Sequence, residues 1–218
     1  MINVENLTRI YHSGSSRQIV FDALTFNVDK GETVALLGAS GSGKTTLLNL
    51  VSGIDTPDGG HVRLDGVDVH ALAEPQRTLM RRRKIGFVFQ FFNLIPTLKV
   101  GENVALPLEL LGSDDSSAQH RAEALLENVG LAGLAMRYPE TLSGGEQQRA
   151  AIARALAHQP AVLLADEPTG NLDEDSAGLI IELLTSLARQ QGTTLLLVTH
   201  SMHVARASDR MLRLSHGQ

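Results

Sequence analysis

The chain has no cysteine and no tryptophan in 218 residues, and aromatic residues make up only 4 %. Without cysteine there is no disulfide scaffold, no thiolate zinc site and no cysteine nucleophile. Long apolar runs are also missing. A bilayer-spanning helix needs about 18–20 consecutive apolar residues, and residues 193–198 are among the longest stretches here. The start, Met1-Ile2-Asn3-Val4-Glu5-Asn6, lacks the basic and apolar segments of a secretory signal, so a cytosolic chain is expected. Positive charge is not in excess either. Nineteen Lys plus Arg against 24 Asp plus Glu leave a formal charge of −5, which argues against a duplex-binding surface. No nucleic-acid partner is expected, although a local loop can hold phosphates whatever the net charge. Histidines 12, 61, 70, 120, 158, 203 and 216 are scattered without metal-ligand spacing.

What remains is a globular composition, 43 % apolar and 20 % charged, of one-domain length and long enough to bury a core. Residues 20–29 alternate, with Leu24, Phe26 and Val28 on one face, as a half-buried strand does. Residues 61–69 read as short strands around an Asp65-Gly66 turn. Together these suggest a small antiparallel layer. Four other runs, at 34–37, 85–89, 161–165 and 194–199, are continuously apolar, as strands buried on both faces of a parallel sheet are. Helical stretches separate them, so the unit is α/β. In such sheets ligands sit outside the carboxyl ends of the strands. That rule brings Lys44, Gln90, Asp166, Glu167 and His200 into one neighbourhood. Residues 115–129 and 146–157 read as helices with no clear strand between Gln90 and Ala161. The expected division is therefore an α/β core of residues 1–90 and 159–218, with a helical subdomain inserted at 91–158. The chain stops at Gln218, soon after the last expected strand, so a C-terminal regulatory domain is not expected.

Gly38-Ala39-Ser40-Gly41-Ser42-Gly43-Lys44-Thr45 matches G-x-x-x-x-G-K-[ST], with a strand before it and a helix start, Thr45-Thr46, after it. Its glycines let backbone N–H groups wrap phosphate oxygens, and the helix dipole adds to the attraction. Lys44 is expected on the outer phosphates and the Thr45 hydroxyl on Mg²⁺. Asp166-Glu167 follows a buried strand, where one acid can hold Mg²⁺ and the next can polarise water. Ser143-Gly144-Gly145-Glu146 reads first as a capping box. Yet each first-turn glycine costs roughly 0.5–1 kcal/mol relative to alanine, and a cap has no use for two. Close approach of a phosphate to the helix amides gives them a use.

Leu142-Ser143-Gly144-Gly145-Glu146-Gln147-Gln148-Arg149 is similar to the signature motif of the ABC ATPases, and it lies between the phosphate loop and the acidic pair as in that family. The resemblance covers essentially the whole chain. It makes Gln90 the Q-loop residue, Asn171-Leu172-Asp173 the D-loop, His200 the switch histidine and Tyr11 the aromatic that stacks on adenine. One departure stands out, because the family usually has Asp after the switch histidine and this chain has Ser201. The implied fold is a P-loop NTPase (RecA-like) core with an N-terminal antiparallel β layer and an inserted α-helical subdomain.

The resemblance also implies a function. Two copies would face head to tail with two ATP molecules between them. Each ATP would touch Lys44 and Thr45 of one copy and Ser143 and Gly145 of the other. Glu167 would position the attacking water and His200 would contact the γ-phosphate, while Asp166, Thr45 and Gln90 would hold Mg²⁺ or its waters. Residues 86–98 and 167–173 resemble the lipoprotein-release and macrolide-exporter branch, the second stretch being shared with the cell-division branch. That branch implies a bacterial ATPase held at the cytoplasmic side of the inner membrane by an integral permease. An importer ATPase with the same motifs, or a cell-division-type ATPase, is the alternative. Phe91, Phe92, Leu94, Ile95 and Leu98 cluster beside Pro96, and an exposed apolar loop of that kind suggests a permease docking site. The other reading is that these side chains pack the helical subdomain. Arg81-Arg82-Arg83-Lys84 reads as a basic last helical turn. Soluble ABC ATPases that act on DNA carry a long coiled coil, and those that act on ribosomes carry two modules; neither is found here. A GTPase would need an Asn-Lys-x-Asp motif, which is missing.

Overall fold

The computed structural model describes residues 1–13 and 16–214. In chain order the first elements are β1 (Ile2–Ser13), β2 (Ser16–Val28), β3 (Thr33–Leu37), α1 (Lys44–Ser52), β4 (Gly59–Leu64) and β5 (Val67–Asp68). Then come α2 (Glu74–Lys84), β6 (Ile85–Val88), α3 (Val100–Glu109), α4 (Asp115–Asn128) and α5 (Gly144–Leu156). The last are β7 (Val162–Asp166), α6 (Glu174–Gln191), β8 (Thr194–Thr199), α7 (Met202–Ala205) and β9 (Arg210–Arg213).

Two sheets divide the strands. The antiparallel layer has the order β2-β1-β4-β5, and the parallel sheet has the order β6-β7-β8-β3-β9. The parallel sheet is buried on both faces, and successive residues feed two different cores. Val34, Leu36, Leu164, Leu196 and Val198 pack with α1 and the antiparallel layer. Ala35, Leu163, Ala165, Leu195 and Leu197 pack with α3, α4, α5 and α6. Continuous burial of this kind explains why these strands show unbroken apolar runs. All neighbours in the sheet are parallel, so the ends of β3, β7 and β8 share one edge.

β1, β9 and α3 are among the elements not visible in the sequence pattern, each for a physical reason. In β1, Ile2, Val4 and Leu7 are fully buried, but pairing shifts between Val4 and Leu7 where Asn6 takes a positive φ of 50°. A bulge adds a residue and breaks the period of two. In β9 the residues alternate between half-buried and exposed and include Arg210 and Arg213, as suits a charged edge strand. In α3, Gly101 and Pro107 read as breakers, yet Pro107 lies inside the helix. The basic run does close α2, with Arg81, Arg82, Arg83 and Lys84 in its last turn. Among the described residues no helix is long and apolar enough to cross a membrane.

Candidate functional site

The loop between β3 and α1 is shaped by close contacts as much as by turns. Gly43 adopts φ 90°, and a Cβ there would lie 2.5 Å from Val20 and 2.8 Å from the Phe21 ring. A Cβ on Gly38 would lie 2.2 Å from the Ser42 hydroxyl. Gly43 caps α1 without a side-chain acceptor, so the first amides of the helix stay open to an anion. Lys44 folds back over the loop, its Nζ donating to Gly38 O at 2.9 Å and Ala39 O at 3.0 Å.

The ends of β7 and β8 meet this loop. Thr45 Oγ1 donates to Asp166 Oδ2 at 2.7 Å. Burial pushes the Asp166 carboxyl above its ordinary range, and the Glu167 charge adds to the rise; the Thr45 hydrogen bond and Lys44 oppose it. Glu167 is buried and held at a positive φ of 44°, a conformation that costs a non-glycine residue of order 1–3 kcal/mol. Surrounding bonds impose it, since Glu167 N donates to Val198 O and Gly170 N donates to Glu167 O. Its carboxylate lies 3.3 Å from Lys44 Nζ and 3.0 Å from His200 Nδ1, and it accepts from His200 N at 3.2 Å. Ser201 caps the short helix α7 by accepting from Val204 N, and its own N–H donates to Thr199 Oγ1. A serine therefore braces the switch loop without the usual aspartate.

A cleft of about 670 Å³ gathers Tyr11, Ser40, Gly41, Gly43, Lys44, Thr45, Thr46, Gln90, Asp166, Glu167 and His200. Gly38 and Ser42, of the same loop, are not among the residues that line it. Tyr11 is 40 % exposed at the end of the antiparallel layer, so it is not packed into the core. Asn171 Nδ2 donates to Gln90 O at 2.6 Å, which ties the D-loop to the end of β6. Gln18 and Val20 also line the cleft, and no motif pointed to them. Their one signal is register, because Gln18 lies opposite Tyr11 across β1 and β2.

Thr45, Asp166 and Gln90 present a hydroxyl, a carboxylate and an amide oxygen. Mg²⁺ prefers such hard oxygen donors, completed by water and phosphate. Among the described residues no three His, Cys, Asp or Glu side chains cluster as an all-protein metal cage would need. The donor set therefore suits a cation that arrives with phosphates.

Ser143, Gly144 and Gly145 stand apart from that cleft. Ser143 and Glu146 form a reciprocal capping box, with Ser143 N donating to Glu146 Oε2 at 2.8 Å and Glu146 N donating to Ser143 Oγ at 3.3 Å. A Cβ on Gly144 or Gly145 would meet only ordinary contacts at 3.5–3.7 Å. Among the described residues nothing demands these two glycines, so the capping box does not account for them.

The apolar loop after Gln90 divides its side chains. Phe91 is 70 % exposed and Ile95 36 % exposed, whereas Leu94 packs against the helical core. The apolar residues of the loop are thus divided between the surface and the helical core. Beside it runs a groove of about 320 Å³ lined by Phe87, Phe89, Ile95, Leu106, Pro107 and Leu110.

Known proteins match this chain over its whole length. The model of the family described as "ABC transporter" matches residues 21–170. An uncharacterized ABC transporter ATP-binding protein of Mycobacterium tuberculosis is 50 % identical over 100 % of this chain and 88 % of its own. The lipoprotein-releasing system ATP-binding protein LolD of Xanthomonas campestris is 47 % identical over 100 % of this chain and 91 % of its own. A dimeric structure of a post-hydrolysis state of the ATP-binding cassette MJ0796, bound to ADP and Pi, superposes with a TM-score of 0.91 at 40 % identity, covering 99 % of this chain and 94 % of that one.

Proposed function

The chain belongs to the ABC transporter family, and from that premise we propose that it is the ATP-hydrolysing subunit of a lipoprotein-release-type transporter whose permease is a separate membrane protein. The observation that carries this reading is a division within the chain. The cleft holds the residues suited to bind phosphates and activate water, and the signature helix start lies outside it. One copy thus has both halves of an ATP site, but they do not meet. Two copies placed head to tail bring them together, and the 40 % identical cassette MJ0796 is a dimer in its structure bound to ADP and Pi.

In the proposed reaction a water oxygen bonds to the γ-phosphorus, the bond to the bridging oxygen breaks, and ADP and phosphate leave. Loop amides and Lys44 hold the phosphates. Glu167 orients the water and takes its proton, and His200 braces Glu167 and reaches the γ-phosphate. Mg²⁺ held by Thr45, Asp166 and Gln90 would supply charge neutralisation at the phosphate oxygens. The amides at Ser143–Gly145 of the second copy give the developing charge a positively polarised helix end. Closure of the dimer follows from differential binding, because ATP bridges the halves and ADP lacks the bridging group.

Ser143→Asp separates capping from phosphate contact. Aspartate can still accept from Glu146 N as a cap, but it loses the Ser143 Oγ–H bond to Glu146 Oε2 at 2.8 Å and sets two carboxylates side by side. The urea midpoint should therefore fall only modestly while the fold is kept. A carboxylate facing the γ-phosphate should abolish ATP-driven dimerisation, as read by light scattering. Dimerisation equal to the parent's would leave Ser143 as a cap only.

The permease is placed on the groove beside Phe91 and Ile95, and the chain sits at the cytoplasmic face of the inner membrane through that contact. Co-expression with a candidate permease tests this. The parent is expected to co-purify with it. Phe91→Ala/Ile95→Ala should lose the complex while basal ATPase activity stays within about twofold, since neither residue lines the nucleotide cleft. Retained co-purification would remove the groove from the account.

A further inference from the structure

Tyr11 does not stand alone on the cleft wall. Arg9 shares its strand face at a spacing of two, and the Arg9 guanidinium carbon lies 4.7 Å from the centre of the Tyr11 ring. That guanidinium is itself fixed. Arg9 Nη2 pairs with Asp55 Oδ1 at 2.9 Å, and Nη1 donates to Thr56 O at 2.8 Å and reaches Asp58 Oδ2 at 3.5 Å. The same Asp55 accepts from the Tyr11 hydroxyl through Oδ2 at 3.3 Å. Asp55 is fixed in turn by the exit of α1, its N–H donating to Asn49 O at 3.1 Å. The segment that leaves α1 past its Gly53 cap therefore carries the carboxylate that holds both Arg9 and Tyr11.

We propose that Arg9, clamped by Asp55, is a positioning residue for the nucleobase: it covers one face of Tyr11, leaving the other face for the adenine. This rests on the ATPase reading above, in which Tyr11 meets the base. The Tyr11 hydroxyl is tethered to Asp55 and lies 3.4 Å from Thr46 Oγ1. A half-exposed ring held only at its tip can still tilt, and stacking on a tilting ring loses the ordering entropy at each binding event. A cation over one face restrains the ring through its quadrupole. Because Asp55 leaves the same helix whose start binds phosphate, the base and phosphate subsites also keep a fixed separation. Arg9 touches no reacting atom, so its effect falls on affinity rather than on turnover.

The test compares binding of Mg-ATP with binding of inorganic tripolyphosphate, which has no base. Arg9→Met should weaken ATP about fivefold, in line with a partly desolvated cation–ring contact, and leave tripolyphosphate unchanged. The KM for ATP should rise by the same factor while kcat at saturation stays within about twofold. Arg9→Lys, which keeps a cation over the ring, should recover most of the affinity. In a Tyr11→Ala background Arg9→Met should cost nothing more. Equal weakening of both probes would mean that Arg9 merely anchors the loop, and no weakening of either would mean that it does nothing for the base; each result overturns the proposal. If Tyr11→Ala itself leaves ATP binding intact, Tyr11 loses its place in the ATPase reading and the role of Arg9 goes with it.

Discussion

Glu167→Gln should bind ATP at least as tightly as the parent and hydrolyse it about 10²–10⁴-fold more slowly, the usual worth of a positioned general base. The two effects have separate causes. Glutamine keeps the shape of the side chain and can still accept from His200 N, so the loop geometry at this strained position survives. It cannot take a proton from water. It also removes the negative charge 3.3 Å from Lys44 Nζ. In the parent that pairing has to open before Lys44 reaches a phosphate, and the Glu167 carboxylate faces an incoming polyanion. Without that charge the lysine is held only by two loop carbonyls, and the repulsion is gone. Phosphate release measures the first effect and titration with a fluorescent ATP analogue the second. Turnover equal to the parent's would take the water-activating role away from Glu167.

Lys44→Ala should weaken ATP binding by about a hundredfold or more. A charge-assisted contact to phosphate is about twice as strong as a neutral hydrogen bond, and among the described residues Lys44 is the cation that the phosphate loop itself brings into the cleft. Its ammonium is buried, and in this structure it is satisfied by two loop carbonyls and Glu167. Those partners are not lost to the fold when the lysine goes. The carbonyls can take water, and Glu167 keeps His200. The variant should therefore fold, with a thermal midpoint near the parent's, and fail in binding. Calorimetry with Mg-ATP checks this. A dissociation constant within a few-fold of the parent's would contradict the phosphate-loop assignment.

Much of this site was legible because strand ends carry it. The buried strands β3, β6, β7 and β8 announce themselves as apolar runs, and in a parallel sheet each run points to a residue at the same edge. Lys44, Gln90, Asp166, Glu167 and His200 reached one cleft on that argument. What stayed hidden depends on pairing across distance. The bulge at Asn6 disguised β1, and with it the strand face that Arg9 shares with Tyr11. No sequence motif marks Asp55, and only the return of its loop to β1 makes it the partner of both. The loop after Gln90 was ambiguous for another reason. Its apolar residues split between the core and the surface, and no periodicity in so short an irregular segment distinguishes Leu94 from Phe91. The signature helix carried two meanings at once, a capping box within the chain and a phosphate contact outside it. Local geometry establishes the first and leaves the two glycines unused.

The central claim is that one chain supplies only half of each ATP site. Light scattering on purified Glu167→Gln protein tests it most directly, because that variant holds ATP without consuming it. With Mg-ATP the mass should be twice that of one chain, and with Mg-ADP it should be that of a single chain. A single-chain mass in saturating Mg-ATP, at protein concentrations well above the micromolar range, would contradict the claim.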